Sequence, residues 1–470
     1  MSTPLPIFRS ISWSAINTVI KTALQLLQFI ILARALPAES LGLLAFISIF
    51  VSFSQVIGDG GLSNAVIFFD SLSKQIKYQL YTFGLIVGTV ISVVSLSLSS
   101  WLGLFFGLPD LEQFSLLIVA IIFIRICTAQ PIALLQKELE FNKIALIEIS
   151  SQLLCFITIC ILLWSGKGVS SAIYGQLVQA GVVFFLCLII QSSSIGISLP
   201  REKELKEPIK YGCYQMLESM IGLFSRQFDQ LIVLKLLGKE VLGIYSYLKD
   251  LIGKPMLQLI NPVASRVLFP ILVKAPENEI STYYKNALLL LCMINIPLYL
   301  GVAYFSELLL SVVLGDNWAQ YHLIASLFAF TYLIMSIINP CGSLLQAVGA
   351  VRRSFYWNLA VTTLRIIVIT VTAPIGLTFM LTSLLLLQGF ILIVHWYFLI
   401  KPSIGLGMID FFKPPIFILL LSSCSLMGVC FFGVFIDVPI LIEISVFLGV
   451  NSALIVFISL RFYGYLQNRL

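Results

Sequence analysis

Charge is scarce in this chain, and so is every feature that needs an aqueous surface. Only 11% of its 470 residues are charged, 59% are hydrophobic, and the mean hydropathy is +1.03. Soluble domains carry about a quarter charged residues, so a water-facing globule is excluded. No polar connection between the apolar runs is long enough to form a separate soluble domain. Histidine is nearly missing: His322 and His395 stand alone, without metal spacing, and read as packing or interface residues. All nine cysteines fall in apolar runs without ligand spacing, which reads as apolar filler rather than disulfides or a metal site. Gly-x-x-x-x-Gly-Lys, His-Glu-x-x-His and exposed acidic clusters are all absent. The chain therefore reads as no enzyme, with no cofactor. Any active transport must draw on an ion gradient, the membrane potential or the substrate gradient. The net charge of +6 is dispersed along the chain, not clustered in a soluble patch, which argues against nucleic acid.

What the chain has in plenty is apolar runs of the length that spans a hydrocarbon core as helix. They predict an all-α integral membrane protein with fourteen spans: 11–35, 41–66, 79–101, 113–135, 144–165, 169–192, 211–237, 241–266, 284–305, 321–345, 355–372, 375–399, 414–435 and 439–460. With both termini placed in the cytoplasm, eighteen lysines and arginines fall inside, from Arg9 to Arg469. Only three, Arg34, Lys167 and Lys239, fall outside. Such an asymmetry obeys the positive-inside rule, and one missed span would scramble it. Met1–Arg9 reads as a short cytoplasmic tail, not a cleaved signal peptide.

The charged inside linker Gln191–Lys210 divides two six-span lobes, 1–200 and 201–405, and Lys401–Pro415 sets off two further spans in 406–470. The lobes are related. Leu36-Pro37-Ala38-Glu39-Ser40-Leu41-Gly42-Leu43 matches Leu237-Gly238-Lys239-Glu240-Val241-Leu242-Gly243-Ile244 at an offset of 201 (242 less 41). Leu134-Leu135-Gln136 matches Leu344-Leu345-Gln346 at an offset of 210 (344 less 134). Six intervening spans give both copies the same orientation, a parallel repeat with a substrate site expected between the lobes.

Charge inside a span is costly and points to a cavity or a partner. Asn17, Lys21, Gln25 and Gln28 of the first span correspond to Glu218, Gly222, Arg226 and Asp229 of the seventh. Spacings of four, four and three keep each set on one helix face. Arg226 is either a cavity cation or the local partner of Asp229. Lys254 reads as paired with Asp250, whereas Lys249 lacks such a partner in its helix and is the better substrate cation. Lys21 has no acid in its own helix and serves either Glu218 or the substrate. Arg125 and Arg365 read as packing residues, and Lys235 as snorkelling outward. Asp59-Gly60-Gly61 interrupts the second span, as a hinge or as a site for a coupling proton or sodium ion. Glu148, Glu218 and Asp229 are the other coupling candidates.

Ile31-Leu32-Ala33-Arg34-Ala35-Leu36-Pro37-Ala38-Glu39-Ser40-Leu41-Gly42, followed by Asp59-Gly60-Gly61-Leu62-Ser63-Asn64-Ala65-Val66-Ile67, resembles the N-terminal signature of bacterial polysaccharide transporters. Leu134-Leu135-Gln136-Lys137-Glu138-Leu139-Glu140-Phe141 resembles the segment after their fourth span. The resemblance is to lipopolysaccharide and exopolysaccharide unit flippases of the colanic-acid type, in the multidrug/oligosaccharidyl-lipid/polysaccharide exporter superfamily. It implies a V-shaped two-lobe bundle with alternating access. The implied substrate is an undecaprenyl-pyrophosphate-linked oligosaccharide (an O-antigen, capsule or exopolysaccharide repeat), moved across the bacterial inner membrane. The lipid bilayer, the polysaccharide polymerase and the glycosyltransferase machinery are the implied partners. The stripes, not the resemblance, nominate Lys21, Arg226 and Lys249 for the pyrophosphate and Asn17, Gln25 and Gln28 for sugar hydroxyls. An ion-coupled drug/cation antiporter would want an anionic cavity, yet cations outnumber acids within the spans. A peptidoglycan-precursor flippase of the same superfamily would share the cationic cavity. A membrane-embedded glycan polymerase would need larger outer loops than Ser306–Gln320.

Overall fold

The computed structural model describes residues 5–69, 72–191, 196–198, 205–254, 257, 260–436 and 442–453. Helices dominate, and no strand occurs among the described residues. The chain divides into two compact units, Met1–Tyr247 and Leu248–Leu470.

The first unit holds α1 (Leu5–Ala35), α2 (Ala38–Asp59), α3 (Leu62–Phe68), α4 (Lys74–Phe106), α5 (Leu111–Lys137), α6 (Phe141–Trp164), α7 (Val169–Ile190), α8 (Lys206–Leu237) and the start of α9 (Lys239–Lys254). The second holds the rest of α9, then α10 (Asn261–Lys274), α11 (Ile280–Tyr304), α12 (Ser306–Leu314), α13 (His322–Ile338), α14 (Cys341–Ala347), α15 (Val351–Thr372), α16 (Leu377–His395), α17 (Lys401–Ile404) and α18 (Met408–Ile436). Among the described residues, eleven helices are long and apolar enough to cross a membrane. The expected count of fourteen is therefore not established, and three expected spans fall outside these eleven helices. The seventh is present as α8, but its charged residues make it too polar to qualify. The eighth is present as α9, with only 16 described residues. The last is described only over Ile442–Ala453.

The surface is apolar where a soluble protein would be polar. Leu104, Leu116 and Trp164 are 83%, 71% and 93% exposed, as lipid-facing residues are. Inside, small residues let helices approach. Gly88, Ser92, Ser95, Ser99 and Gly103 line the buried face of α4, and a Cβ at Gly88 would press 2.8 Å from Ile126 of α5. The Ser54 and Ser95 hydroxyls, 3.2 Å apart, tie α2 to α4.

The repeat is visible in the packing. In the first unit α4 packs on α5, α5 and α6 on α7, and α3 on α5. In the second, α11 packs on α13, α13 and α15 on α16, and α10 on α14. Pro131 lies inside the continuous helix α5, whereas Pro340, one residue from the related position, falls where α13 gives way to α14. The expected kink in the second span is a full break. Gly60 and Gly61 both take left-handed backbone (φ 57° and 68°), ending α2 and starting α3.

Candidate functional site

Two polar faces meet inside the first unit. On α1, Asn17, Lys21, Gln25 and Gln28 follow helical spacing. On α6, Glu148, Gln152 and Cys155 do the same. The Lys21 ammonium lies 3.0 Å from Glu148 Oε2, and the Asn17 amide donates to that same oxygen at 2.8 Å. Two turns along, Gln152 Nε2 donates to Gln28 Oε1 at 2.8 Å, and Gln179 of α7 donates to Gln152 Oε1 at 2.7 Å. Cys155 Sγ also approaches Gln28 Oε1, at 3.7 Å. Gln25 is half-buried on the same face of α1. Two substrate candidates, Asn17 and Lys21, are thus joined to one coupling candidate, Glu148. The acid beside Lys21 is Glu148 of α6, not Glu218, the partner that the sequence offered. The Lys21 charge is balanced by a neighbour, which is how a membrane interior tolerates an ammonium.

The α8 stripe is more exposed. Glu218 and Arg226 are both solvent- or lipid-accessible, and Asp229 is half-buried. The Arg226 guanidinium folds back along its own helix: a Cβ built at Gly222 would sit 3.3 Å from Nη1. Asp229 Oδ2 accepts from the Tyr245 hydroxyl at 2.6 Å. Lys249 is half-buried in the second unit, where its carbonyl accepts from the Tyr332 hydroxyl. Lys254 pairs with Asp250 at 3.2 Å, the local pair that its spacing predicts.

Asp59 closes α2 and grips α3. It accepts from the Ser63 hydroxyl and from the backbone N–H groups of Gly61 and Ser63. At the other end of α3, the Lys137 ammonium donates to the carbonyls of Val66 and Phe69. The short helix therefore has an anion at its positive end and a cation at its negative end, which complements its dipole. Lys137 follows Leu134-Leu135-Gln136, so the two motif segments singled out in the sequence meet here as one cap.

Beside Asp59 opens a recess of about 360 Å³, walled by α2, α3, α5 and α8. Its polar lining is Ser52, Gln55, Asp59, Ser63, Asn64 and Ser219, its apolar lining includes Val56, Ala129 and Met216, and no lysine or arginine takes part among the described residues. Sequence reasoning did not single out Ser52, Gln55, Asn64 or Ser219. A signal existed on α2, where Ser52, Gln55 and Asp59 are spaced three and four residues apart on one face.

The remaining in-span charges have quieter surroundings. Arg365 donates to Gln388 Oε1 at 2.7 Å within the second unit, and Arg125 lies beside Cys155. Lys235 donates to the Phe105 carbonyl at 2.6 Å and covers the Phe105 ring at 3.8 Å. His395 is buried edge-on against Trp357. No group of three His, Cys, Asp or Glu side chains suited to a metal occurs among the described residues.

The fold is shared with solved transporters. It is similar to that of a lipid II flippase MurJ in an inward closed conformation, with a TM-score of 0.72 and 16% identity over 94% of this chain and 98% of that one. It also resembles an inward-facing multidrug resistance transporter of the MATE family (TM-score 0.60, 16% identity, covering 88% and 99%). In sequence, the chain is 30% identical over 404 residues to the lipopolysaccharide biosynthesis protein WzxC of Escherichia coli (strain K12), spanning 84% of this chain and 80% of that protein. It is 26% identical over 353 residues to the teichuronic acid biosynthesis protein TuaB of Bacillus subtilis (strain 168), spanning 74% and 73%. The profile of the polysaccharide biosynthesis proteins matches residues 31–323. This multi-pass membrane chain belongs to the polysaccharide biosynthesis protein family.

Proposed function

We infer that this protein is a flippase, not an enzyme, that turns lipid-linked oligosaccharide units across the cytoplasmic membrane of a bacterium by alternating access. The observation that carries this reading is the polar seam of α1, α6 and α7, held inside a bundle of membrane-spanning helices in a member of this family. The unit would ride on undecaprenyl pyrophosphate, moved by a chain of six-span lobes 1–200 and 201–405, with 406–470 appended and both termini cytoplasmic. Polymerase and glycosyltransferase machinery would act on either side of it.

The pairing of Lys21 suggests how binding and coupling connect. A pyrophosphate approaching Lys21 competes with Glu148 for the same ammonium. A proton or sodium ion on Glu148 weakens its hold and frees the cation. Arg226 and Lys249 supply further positive charge, and Asn17, Gln25 and Gln28 offer hydrogen bonds to sugar hydroxyls. Asp59, Glu218 and Asp229 remain candidates for carrying the coupled ion. The peptidoglycan-precursor and drug/cation readings share the fold, but the names of the sequence relatives favour a glycan unit.

The test is an Arg226→Ala, Lys249→Ala double variant in cells that depend on this chain for surface glycan. Glycan should fall at least tenfold while lipid-linked units accumulate in the membrane. Normal glycan with the variant present in the membrane would remove Arg226 and Lys249 from the site. Normal glycan after deletion of the whole gene would remove the function.

A further inference from the structure

We propose that the recess beside Asp59 is a subsite for one uncharged sugar of the transported unit, the ring nearest the pyrophosphate. The proposal rests on the transport function inferred above.

Its first support is chemical. Gln55, Asn64 and Ser219 line the recess, and their side chains make no hydrogen bond among the described residues. Asp59 already accepts from the Ser63 hydroxyl and from the backbone N–H groups of Gly61 and Ser63, three of the roughly four acceptor sites of a carboxylate, which leaves about one for a ligand. Two amides, a carboxylate and a hydroxyl can each bridge or cap sugar hydroxyls. Val56 and Met216 supply an apolar wall for the C–H face of a pyranose. The polar seam on α1 is different, because Asn17 and Gln28 already have partners there.

The second support is size and charge. A recess of about 360 Å³ is far roomier than a dehydrated cation needs, and it matches the scale of small-ligand pockets. With a carboxylate and no cation among its described lining residues, it repels phosphate and uronate groups and accepts a neutral ring.

Position is the third support. Ser219 and Arg226 are seven residues apart on α8, two turns along one face, so their backbone positions differ by about 10 Å. The Arg226 guanidinium lies over Gly222, between them, on the recess side of its own Cα. A pyrophosphate held by Arg226 would place its first sugar at the recess.

The experiment uses the full-length protein in nanodiscs and three probes: undecaprenyl pyrophosphate alone, the same lipid bearing one neutral hexose, and the same lipid bearing one hexuronate. The wild type should bind the hexose lipid about tenfold more tightly than the bare lipid, and the hexuronate lipid no more tightly than the bare one. Gln55→Ala and Asn64→Ala should each reduce the hexose preference by about fivefold, the worth of one hydrogen bond, with bare-lipid affinity unchanged. Asn64 is exposed, so its truncation does not threaten folding. A preference that survives both substitutions overturns the proposal, and so does hexuronate binding equal to hexose. Bare-lipid binding without any hexose preference overturns the subsite and leaves the transport function standing. Failure of all three lipids to bind overturns both. Sodium-dependent stabilisation that Asp59→Asn abolishes, with the hexose preference intact, would make the recess a cation site instead.

Discussion

Gly42 and Gly243 are partners in a contact that maps onto itself. A Cβ built at Gly42 would overlap the carbonyl oxygen of Lys239, and one at Gly243 would overlap that of Ala38. At the repeat offset of 201 (243 less 42), Gly42 becomes Gly243, and Ala38 (239 less 201) becomes Lys239. The starts of α2 and α9 therefore meet through equivalent surfaces, as two subunits would across a twofold axis. Lys239 adds ion pairs with Glu39 at 3.4 Å and Asp110 at 3.6 Å. These are partly exposed, so the glycine contact is the stronger constraint.

Gly42→Ala and Gly243→Ala should each destabilise the protein by about 1–3 kcal/mol, because backbone cannot move aside as a flexible side chain can. Gly389→Ala is the comparison, since a Cβ there meets nothing within 4 Å. Thermal unfolding in detergent checks this, with a drop of several degrees for the first two and little change for the third. Equal Tm for all three would refute the close contact.

The capping of α3 makes a second forecast. Lys137→Met removes two charge-assisted hydrogen bonds from the end of α3 and should cost about 1–3 kcal/mol. Asp59→Asn keeps volume but loses the charge at the other end, with a smaller cost of about 0.3–1 kcal/mol. Lys137→Arg should restore part of the loss. Protease protection of the Leu62–Phe68 segment reads out the local effect, and unchanged protection in Lys137→Met would rule the cap out.

Lys21 and Glu148 should behave as a coupled pair. Glu148→Gln leaves the ammonium without its counter-charge, so affinity for undecaprenyl pyrophosphate should rise about tenfold while surface glycan falls, because release is slowed. Lys21→Ala should lower both. In the double variant, pyrophosphate-lipid affinity should return toward that of Lys21→Ala alone. Simple additivity of the two changes would show that they do not share a ligand.

Much of this architecture could be read from residues alone. Span lengths, the break at Asp59-Gly60-Gly61, the Lys254–Asp250 pair and the repeat are local facts. The helices α8 and α9 were legible as helices too, although their charge makes them more polar than the eleven apolar ones. Helical spacing also showed which residues share a face. What it could not show was the neighbour that each face meets.

The sequence by itself therefore determined that this is a helical membrane protein with two related halves. The hydrocarbon core demands internally hydrogen-bonded helices of one length, and that demand is written in composition. Only the tertiary structure decided that Lys21 meets Glu148, that Gln28 meets Gln152, that Lys137 caps α3, and that Gln55, Asn64 and Ser219 share a recess with Asp59. Those meetings depend on how each helix is rotated about its axis against helices distant in sequence. Packing of small residues such as Gly42, Gly88 and Gly243 sets that rotation, and no local pattern encodes it.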